Sequence, residues 1–471
     1  MKTLNRQFIN GAFVTSHGKE VIETFNPATG IAISQVTMAD EVDAQNAIQA
    51  AKKAFEEYKF APLKVRAEYL QRLYSAFEAD KSLHLELMLQ EYSAPKAFAQ
   101  FTIEDGIQFF KRGIELLETY EFERNLGGSS VYLEPVGVAA IITPWNGVLW
   151  SVCMKLAQAL AAGCTVVIKP SEFSALQVDA IAETIRSANL PKGLVNVLNG
   201  RGEIIGPVLT KSPDVAKISF TGSTVVGEIL MRDGAQTMKR LTLELGGKSP
   251  TVILDDAKVE DAVSFALQAG FMNSGQACIA GTRILIPKSR YSEFENAFKK
   301  ATEQMIVGAG SKDSTVIGPM VSKRQYDRVR SYIQKGIDEG ATLLTGGLER
   351  PENSGNGYFI KPTIFTQVKN SMTIAREEIF GPVLSLIAYD DENQAAQIAN
   401  DTNYGLHAYV IGKDEVRAAN FARKIQAGRV MVNKFQANAA APFGGFKKSG
   451  LGREFGPFGL EAFLEPKVVL V

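Results

Sequence analysis

The chain has 471 residues, of which 45% are hydrophobic and 22% charged, a composition typical of a globular protein with more than one core. Lysine plus arginine and aspartate plus glutamate both total 51, so the formal net charge is zero and no nucleic-acid-binding surface is indicated. Three cysteines cannot form a disulfide framework, and the N-terminus lacks the apolar segment of a signal peptide. We therefore expect a cytoplasmic protein whose partners include neither nucleic acid nor a membrane.

Histidine is scarce, and this limits the chemistry that the chain can perform. Its three histidines are His17, His84 and His407, which are far apart in the sequence. A zinc site or a Ser-His-Asp triad is hard to build from so few, and no two cysteines have the spacing of metal ligands. We therefore expect no metal and a carboxylate as any general base.

The first 120 residues predict short strands followed by helices. Residues 5–36 are typical of strands joined by turns. Asp40 then predicts the N-cap of an amphipathic helix whose apolar face includes Val42, Ala47, Ile48 and Tyr58. Helical patterns continue from about residue 63 to residue 119, and we assign no chemistry to them.

From Val131 onward, apolar strands alternate with helices. The predicted strands are residues 136–142, 165–168, 195–198, 217–220 and 241–243. This alternation predicts a parallel, doubly wound sheet of the α/β class. Such sheets bind ligands at the carboxyl ends of their strands.

Polar, glycine-rich or proline-rich sequence follows every one of these strands. The segments are Pro144-Trp145-Asn146, Lys169-Pro170-Ser171-Glu172, Asn199-Gly200-Arg201-Gly202, Thr221-Gly222-Ser223 and Glu244-Leu245-Gly246-Gly247-Lys248. Because the carboxyl ends of parallel strands share one edge, this coincidence predicts a binding site there.

Three of these segments suit a nucleotide, and each has a simpler interpretation. Lys169 and Glu172 suit the hydroxyls of a ribose, or form a solvated surface pair. Residues 200–206 nearly match the dinucleotide fingerprint, but the last glycine is one position late, so an ordinary strand-to-helix turn remains open. Thr221-Gly222-Ser223-Thr224 either holds a phosphate at a helix N-terminus or only caps that helix.

A second α/β series begins near Thr251 and contains Cys278. Its predicted strands include residues 283–286, 382–389 and 429–433. The run Asn273-Ser274-Gly275-Gln276 ahead of Cys278 predicts a turn whose backbone amides stabilise a reactive thiolate; a packing cysteine is the alternative. The final strand, residues 467–471, is expected to pair within the fold or with another subunit.

Two further residues are candidates for chemistry. Glu244 lies between leucines at the end of a buried strand, which predicts a raised pKa and a general base, or else a structural salt bridge. Asn146 suits a turn, and its amide equally suits donation to a developing oxyanion.

With these residues assembled, the chain resembles the aldehyde dehydrogenase superfamily over essentially its whole length. The matching segments, in the family's order, are Pro144–Asn146, Lys169–Glu172, Phe220–Ser223, Glu244–Lys248, Gly275–Cys278, Glu377–Pro382, and Pro442–Gly445 with Ser449–Glu454. The resemblance implies a Rossmann-like NAD-binding domain (residues 1–120 and 136–246) and an α/β catalytic domain (247–448). It also implies a small β bridging element (121–135 and 449–471) that drives a homodimer or homotetramer.

The resemblance also implies an activity, the oxidation of an aldehyde to the free acid with NAD. By position, Cys278 would attack the aldehyde, Asn146 and the Cys278 backbone N–H would stabilise the oxyanion, and Glu244 would activate the hydrolytic water. Lys155 and Glu454 match positions linked to proton relay and water handling. The residues that would hold the cofactor are Thr143, Trp145, Lys169, Ser171, Glu172, Gly202, Phe220, Gly222, Ser223, Leu245, Glu378 and Phe380.

Particular residues refine this expectation. Glu172 would repel a 2′-phosphate, which favours NAD over NADP. Glu244 is present where relatives that transfer the acyl group to coenzyme A usually lack a carboxylate, which favours hydrolysis. Trp150 departs from the family's pattern one helical turn beyond Asn146, where it would narrow or reshape the substrate tunnel.

Two other functions are compatible with parts of this pattern. A cysteine-dependent esterase would use the same thiol without redox chemistry, but the nucleotide segments argue against it. A non-catalytic descendant of the family would have lost Cys278, Glu244 or Asn146, and all three are present.

Overall fold

The computed structural model describes residues 1–352, 354–436 and 438–470. The elements of the first 120 residues follow the predicted order of strands and then helices. They are β1 (Lys2–Leu4), β2 (Arg6–Ile9), β3 (Ala12–Thr15), β4 (Val21–Asn26), β5 (Ile31–Thr37), α1 (Glu41–Tyr58), α2 (Leu63–Ala79), α3 (Lys81–Glu91) and α4 (Lys96–Thr119).

Helix α1 shows how local sequence sets an element's start and its buried face. As predicted, the Asp40 carboxylate caps the helix by accepting the backbone N–H groups of Val42 and Asp43. The expectation that Val42 belongs to the buried face is wrong, because Val42 is exposed. It precedes the buried Ala44 by two residues, about 200° around the helix, and so points away from the core.

The middle of the chain alternates strands and helices as predicted. Its elements are β6 (Glu123–Leu126), β7 (Ser129–Pro135), β8 (Val138–Thr143), α5 (Val148–Ala162), β9 (Thr165–Pro170), α6 (Ala175–Ser187), β10 (Val195–Val197), α7 (Gly202–Lys211), β11 (Val215–Thr221), α8 (Thr224–Gly234) and β12 (Arg240–Glu244).

The remaining elements form the second α/β series and the C-terminal segment. They are β13 (Pro250–Ile253), α9 (Val259–Phe271), β14 (Arg283–Pro287), α10 (Tyr291–Glu303), α11 (Lys323–Asp338), β15 (Thr342–Thr345), β16 (Thr363–Thr366), α12 (Thr373–Arg376), β17 (Val383–Tyr389), α13 (Glu392–Asn400), β18 (His407–Ile411), α14 (Glu415–Ala422), β19 (Arg429–Val432), β20 (Gly450–Leu451), α15 (Gly456–Glu461) and β21 (Leu464–Val469).

The first large sheet has the strand order β20-β12-β11-β8-β9-β10-β2-β3. Its five middle strands are parallel, which confirms the predicted sheet. The antiparallel edge strands come from the two ends of the chain, an addition that the sequence patterns did not predict. Helices cover both faces: Ile168 packs in a core with Leu156 and Leu160, whereas the adjacent Val167 packs in a second core with Ile48 and Ile218.

The second large sheet has the order β15-β16-β17-β14-β13-β18-β19, and only β15 is antiparallel to its neighbour. A small sheet joins β21 to β7 and β6, so the C-terminal strand pairs within the fold. The predicted final residue of that strand, Val471, lies outside the described residues. None of the helices in the described ranges is long and apolar enough to cross a membrane.

Candidate active site

The carboxyl edge of the first sheet brings the predicted cofactor-binding residues side by side. Ile142 pairs with Lys169 on one flank and with Phe220 on the other, and Phe220 pairs with Leu243. Thr143 follows Ile142 directly, and Leu245 lies two residues after Leu243. Residues that are 23 or more positions apart in sequence therefore lie along one edge, as the parallel order requires.

Lys169 and Glu172 form an ion pair at this edge. The Lys169 ammonium is buried and lies 3.3 Å from the Glu172 carboxylate, which is 20% exposed. Burial lowers the pKa of Lys169, and the carboxylates of Glu172 and Glu203 oppose that effect. Ser171 accepts the Phe173 N–H at 3.4 Å, and Gly202 begins α7 beside the lysine, so that a Cβ there would lie 3.6 Å from Nζ. Because Lys169 is buried, the alternative that the two residues form a fully solvated surface pair is excluded.

The turn from β11 into α8 is shaped by one ring and one hydroxyl. The Phe220 ring covers Gly222 so closely that a Cβ at residue 222 would collide with it. Ser223 caps α8 by accepting the Val226 N–H at 3.4 Å. The capping interpretation of Ser223 is therefore correct, and a role in holding phosphate stays a prediction.

The loop before Cys278 has an unusual backbone. Asn273, Ser274 and Gly275 all have positive φ, at 51°, 60° and 73°. A side chain at Gly275 would collide with the Gly381 carbonyl, so glycine is required there. Side chains of the loop fix it to the neighbouring segment: Ser274 accepts the Gly318 N–H at 2.8 Å, and Gln276 accepts that of Val321 at 3.0 Å. The polar run thus serves to anchor the loop.

Asn146 lies against this cysteine loop. Its amide nitrogen donates to the Gln276 carbonyl at 2.9 Å, two residues before Cys278. Asn273, which sequence reasoning did not single out, donates to the same carbonyl at 3.1 Å. The preceding Trp145 packs edge-to-face against Phe380, with ring centroids 5.4 Å apart. Segments from both large sheets therefore meet beside the sulfur.

Cys278 is half-buried, and its surroundings keep it protonated. Burial raises the pKa of the thiol to about 12, with further contributions from the charges of Glu378 and Glu244. Backbone N–H groups of Cys278 and Ile279 oppose this, as the sequence predicted, but they do not outweigh burial. In the free protein the thiol therefore needs a base to take its proton, and a stabilised thiolate stays a prediction.

Glu244 is the candidate base. Its carboxylate is buried, and among the described residues neither oxygen has a hydrogen-bond partner. Burial and the charge of Glu454 raise its pKa well above the ordinary value, whereas Lys155 and Arg453 oppose the shift. Glu244 forms no ion pair with any residue that the structure describes, because Lys155 pairs with Glu454 instead. A structural salt bridge is therefore not its role. A carboxylate in this condition can take up a proton near neutral pH.

A second carboxylate lies nearby and is paired. Glu454 contacts the ammonium of Lys155, which is fully buried and also donates to Ser219 Oγ at 3.1 Å. Gly444 closes the space on the other side of Glu244, because a Cβ at residue 444 would lie 2.7 Å from Glu244 Oε1.

Glu378 connects the second sheet to the strand end that carries Glu244. It accepts the Gly247 N–H at 2.9 Å, and burial raises its pKa to about 7. Two cations near this region were not predicted, Lys248 and Arg429. Burial and the charge of Arg283 lower the pKa of Lys248 to about 7. The sequence feature that could have identified Lys248 is its position just after two glycines that follow a buried strand. No such feature marks Arg429.

Comparison with known proteins agrees with this architecture. A model of the aldehyde dehydrogenase family matches residues 13–469. A relative from Staphylococcus haemolyticus, named as an aldehyde dehydrogenase, is 41% identical over 470 residues, covering 100% of this chain and 99% of its own length.

Solved structures of similar proteins superpose closely. Aldehyde dehydrogenase C of Pseudomonas syringae, a cysteine-to-alanine mutant in complex with NAD+ and octanal, has a TM-score of 0.97 at 39% identity and covers 99% of this chain and 96% of its own. Betaine aldehyde dehydrogenase of Staphylococcus aureus, in complex with NAD+, has a TM-score of 0.96 at 34% identity, covering 99% and 95%. From its sequence and its fold alike, the present chain belongs to the aldehyde dehydrogenase family.

Proposed function

We propose that this enzyme oxidises an aldehyde to the free carboxylic acid with NAD, through a covalent adduct on Cys278. The observation that carries the proposal is the buried, unpartnered carboxylate of Glu244, close enough for its charge to raise the pKa of the Cys278 thiol. A thiol and a base of raised pKa together provide a nucleophile and the group that activates it.

The edge of the first sheet fits a dinucleotide. The buried hydroxyls of Thr143 and Thr224 have no partner within the described ranges. Gly202 leaves the backbone open beside Lys169. When bound, NAD supplies the acceptor for the hydride that the adduct loses. Lys169 and Glu172 would hold the adenosine ribose, and Trp145, Glu378 and Phe380 the nicotinamide end.

The residues of the chain account for the remaining steps. Glu244 takes the thiol proton as Cys278 attacks the aldehyde carbonyl. Asn146 and the Cys278 backbone N–H donate to the oxyanion; the Asn146 amide has a second hydrogen besides the one given to Gln276. Loss of hydride leaves a thioester on Cys278. Glu244, once it has passed the thiol proton to solvent, removes a proton from the water that attacks the thioester. The C–S bond then breaks, which releases the acid and returns the Cys278 sulfur as a thiolate.

The substrate of this proposal is an apolar aldehyde. Trp150 packs edge-to-face with Phe109 at 5.3 Å and Phe455 at 5.6 Å, and its indole N–H donates to Asp105 at 2.8 Å. Since Trp150 lies in the first turn of α5, four residues after Asn146, this wall of rings favours a hydrocarbon chain over a charged one. The similar enzyme of Pseudomonas syringae was solved with octanal.

We also propose a homo-oligomer and the domain division that the sequence predicted. The small sheet of β6, β7 and β21 leaves Leu126, Val468 and Leu470 exposed. An outward-facing apolar strand edge of this kind is suited to pairing with another subunit.

The experiment is NADH formation by the purified protein with short aliphatic, long aliphatic, aromatic and charged aldehydes. The expected result is turnover with NAD that Cys278→Ala abolishes while NAD still binds. Glu244→Gln should slow the first formation of NADH and lower steady-state turnover by about 10²- to 10⁴-fold, since the thiol and the hydrolytic water both lose their base. Full activity of Cys278→Ala, or ester cleavage indifferent to NAD with no NADH from any aldehyde, contradicts the proposal.

A further inference from the structure

Phe455 has a backbone conformation that is essentially reserved for glycine. Its φ is 70° and its ψ is 150°, yet it carries a large side chain that is 5% exposed. Non-glycine residues persist in this region only where the surroundings determine their position strongly. Such outliers concentrate where the strain contributes to function.

The ring of Phe455 is held from three directions. It stacks on Phe443 with centroids 5.2 Å apart, and it packs against Phe109 of α4 at 5.4 Å and Trp150 of α5 at 5.6 Å. The guanidinium of Arg429, from β19, lies 5.0 Å from its centroid. These contacts fix the ring, and through it the strained backbone.

The residue directly before Phe455 is Glu454. Its backbone N–H donates to the Phe443 carbonyl at 2.7 Å, and its own carbonyl accepts the Phe443 N–H at 2.8 Å. Its carboxylate contacts Lys155 and accepts from Ser219 at 3.3 Å. The same segment therefore fixes both the backbone of Glu454 and the ring that follows it.

The charged groups around Glu454 come from several elements. Lys155 approaches from α5, Lys217 from β11, Glu244 from β12, and Arg429 from β19; Arg453 precedes Glu454 in the chain. Of these, Glu244 is the group without a partner in the described part of the chain.

We propose that Phe455 is a positioning residue: its clamped ring holds Glu454 on Lys155 and thereby sets the pH range in which Glu244 works. The proposal rests on the function proposed above, in which Glu244 activates water. The aromatic cluster of Phe109, Phe443, Phe455 and Trp150 would then have a second role besides forming the apolar wall of the proposed substrate site.

The direction of the effect follows from the charges. A loosened Glu454 removes negative charge from the neighbourhood of Glu244 and leaves the Lys155 cation uncompensated. Both changes favour the ionised form of Glu244. Because the base works only when ionised, the acid limb of the kcat profile moves to lower pH, and the lost positioning lowers kcat about tenfold.

The test compares pH profiles of kcat with NAD and one good aldehyde. Phe455→Gly keeps the φ accessible and removes the ring, and Phe455→Leu retains apolar volume in case the glycine variant does not fold. Glu454→Gln gives the reference profile. Phe77→Leu is the matched control, because it removes a buried ring of the same core that packs on His84 and Phe110 and not on Phe455.

We expect both Phe455 variants to shift the acid limb towards that of Glu454→Gln, the leucine variant by less, while Phe77→Leu keeps the wild-type profile. Coincident profiles for wild type and the Phe455 variants overturn the inference, as does an equal shift in Phe77→Leu. If wild type forms no NADH from any aldehyde, the proposed function fails instead, so the two failures are distinct.

Discussion

Two lysine–glutamate pairs beside the first sheet differ in a way that separates binding from chemistry. Lys169 and Glu172 lie at the carboxyl edge, where the nitrogen and oxygen are 3.3 Å apart and the carboxylate is partly open to solvent. Lys155 and Glu454 are in close contact inside the protein, with exposures of 0% and 4%. The open pair can exchange its bond for ligand hydroxyls, whereas the closed pair can only set the field around its neighbours.

Removing one member of the closed pair should have the largest effect, a loss of stability. Glu454→Ala leaves the Lys155 cation buried without its partner, which is expected to lower the free energy of unfolding by about 3–5 kcal/mol. Glu172→Ala, the matched change at the open pair, should cost less, about 1–3 kcal/mol, because the lost carboxylate is partly exposed although Lys169 is buried. Urea denaturation at neutral pH measures both.

Replacing both members of the closed pair is the control. Lys155→Met with Glu454→Met should recover most of the lost stability, since well-packed apolar residues replace a buried ion pair at little cost. An equal loss for Glu454→Ala and Glu172→Ala would remove the distinction between the two pairs.

The next largest effect is expected at the open pair, and on binding. Lys169→Met removes a charged donor from the edge, so the KM for NAD should rise by about 10- to 100-fold, corresponding to about 1.5–3 kcal/mol. Chemistry at Cys278 is remote, so kcat at saturating NAD should stay within about twofold of wild type. Initial rates across NAD concentrations give both values; a fall in kcat alone would place Lys169 in the chemical step.

The smallest effect is expected on the choice between NAD and NADP, in which we propose a role for Glu172. Glu172→Gln removes the carboxylate that would face a 2′-phosphate, and this should improve kcat/KM for NADP by about tenfold, or about 1.4 kcal/mol. The value for NAD should fall modestly, because the amide still reaches the ribose hydroxyls. The ratio of kcat/KM for NADP to that for NAD measures the change in preference. Glu203→Gln, which removes a neighbouring negative charge, is the control.

The edge of the first sheet was predictable because one rule governs it. Parallel strands end at the same side, so the polar sequences after Thr143, Ile168 and Phe220 had to meet there. The antiparallel edge strands were not predictable, since β20 has two residues and shows no periodicity. Its partner, β12, lies about 200 residues earlier in the chain.

The pKa values of the candidate catalytic groups were harder to predict than which residues they are. Cys278 and Glu244 were recognised from local sequence. The thiol's raised pKa depends on burial and on Glu378, a hundred residues away. Likewise, the pKa of Glu244 depends on burial and on the charges of Glu454, Lys155 and Arg429, which packing alone brings near it.

The closed pair also bears on how the protein is made. Lys155 and Glu454 are 299 residues apart, and the first sheet gains its last strand, β20, only four residues before Glu454. During synthesis, α5 is therefore made long before the carboxylate that pairs with its lysine. A fold that depends on such distant contacts forms late and slowly. The first sheet is thus complete only once residues 450–451 have been made, and a product truncated before them would lack both β20 and the Lys155–Glu454 pair.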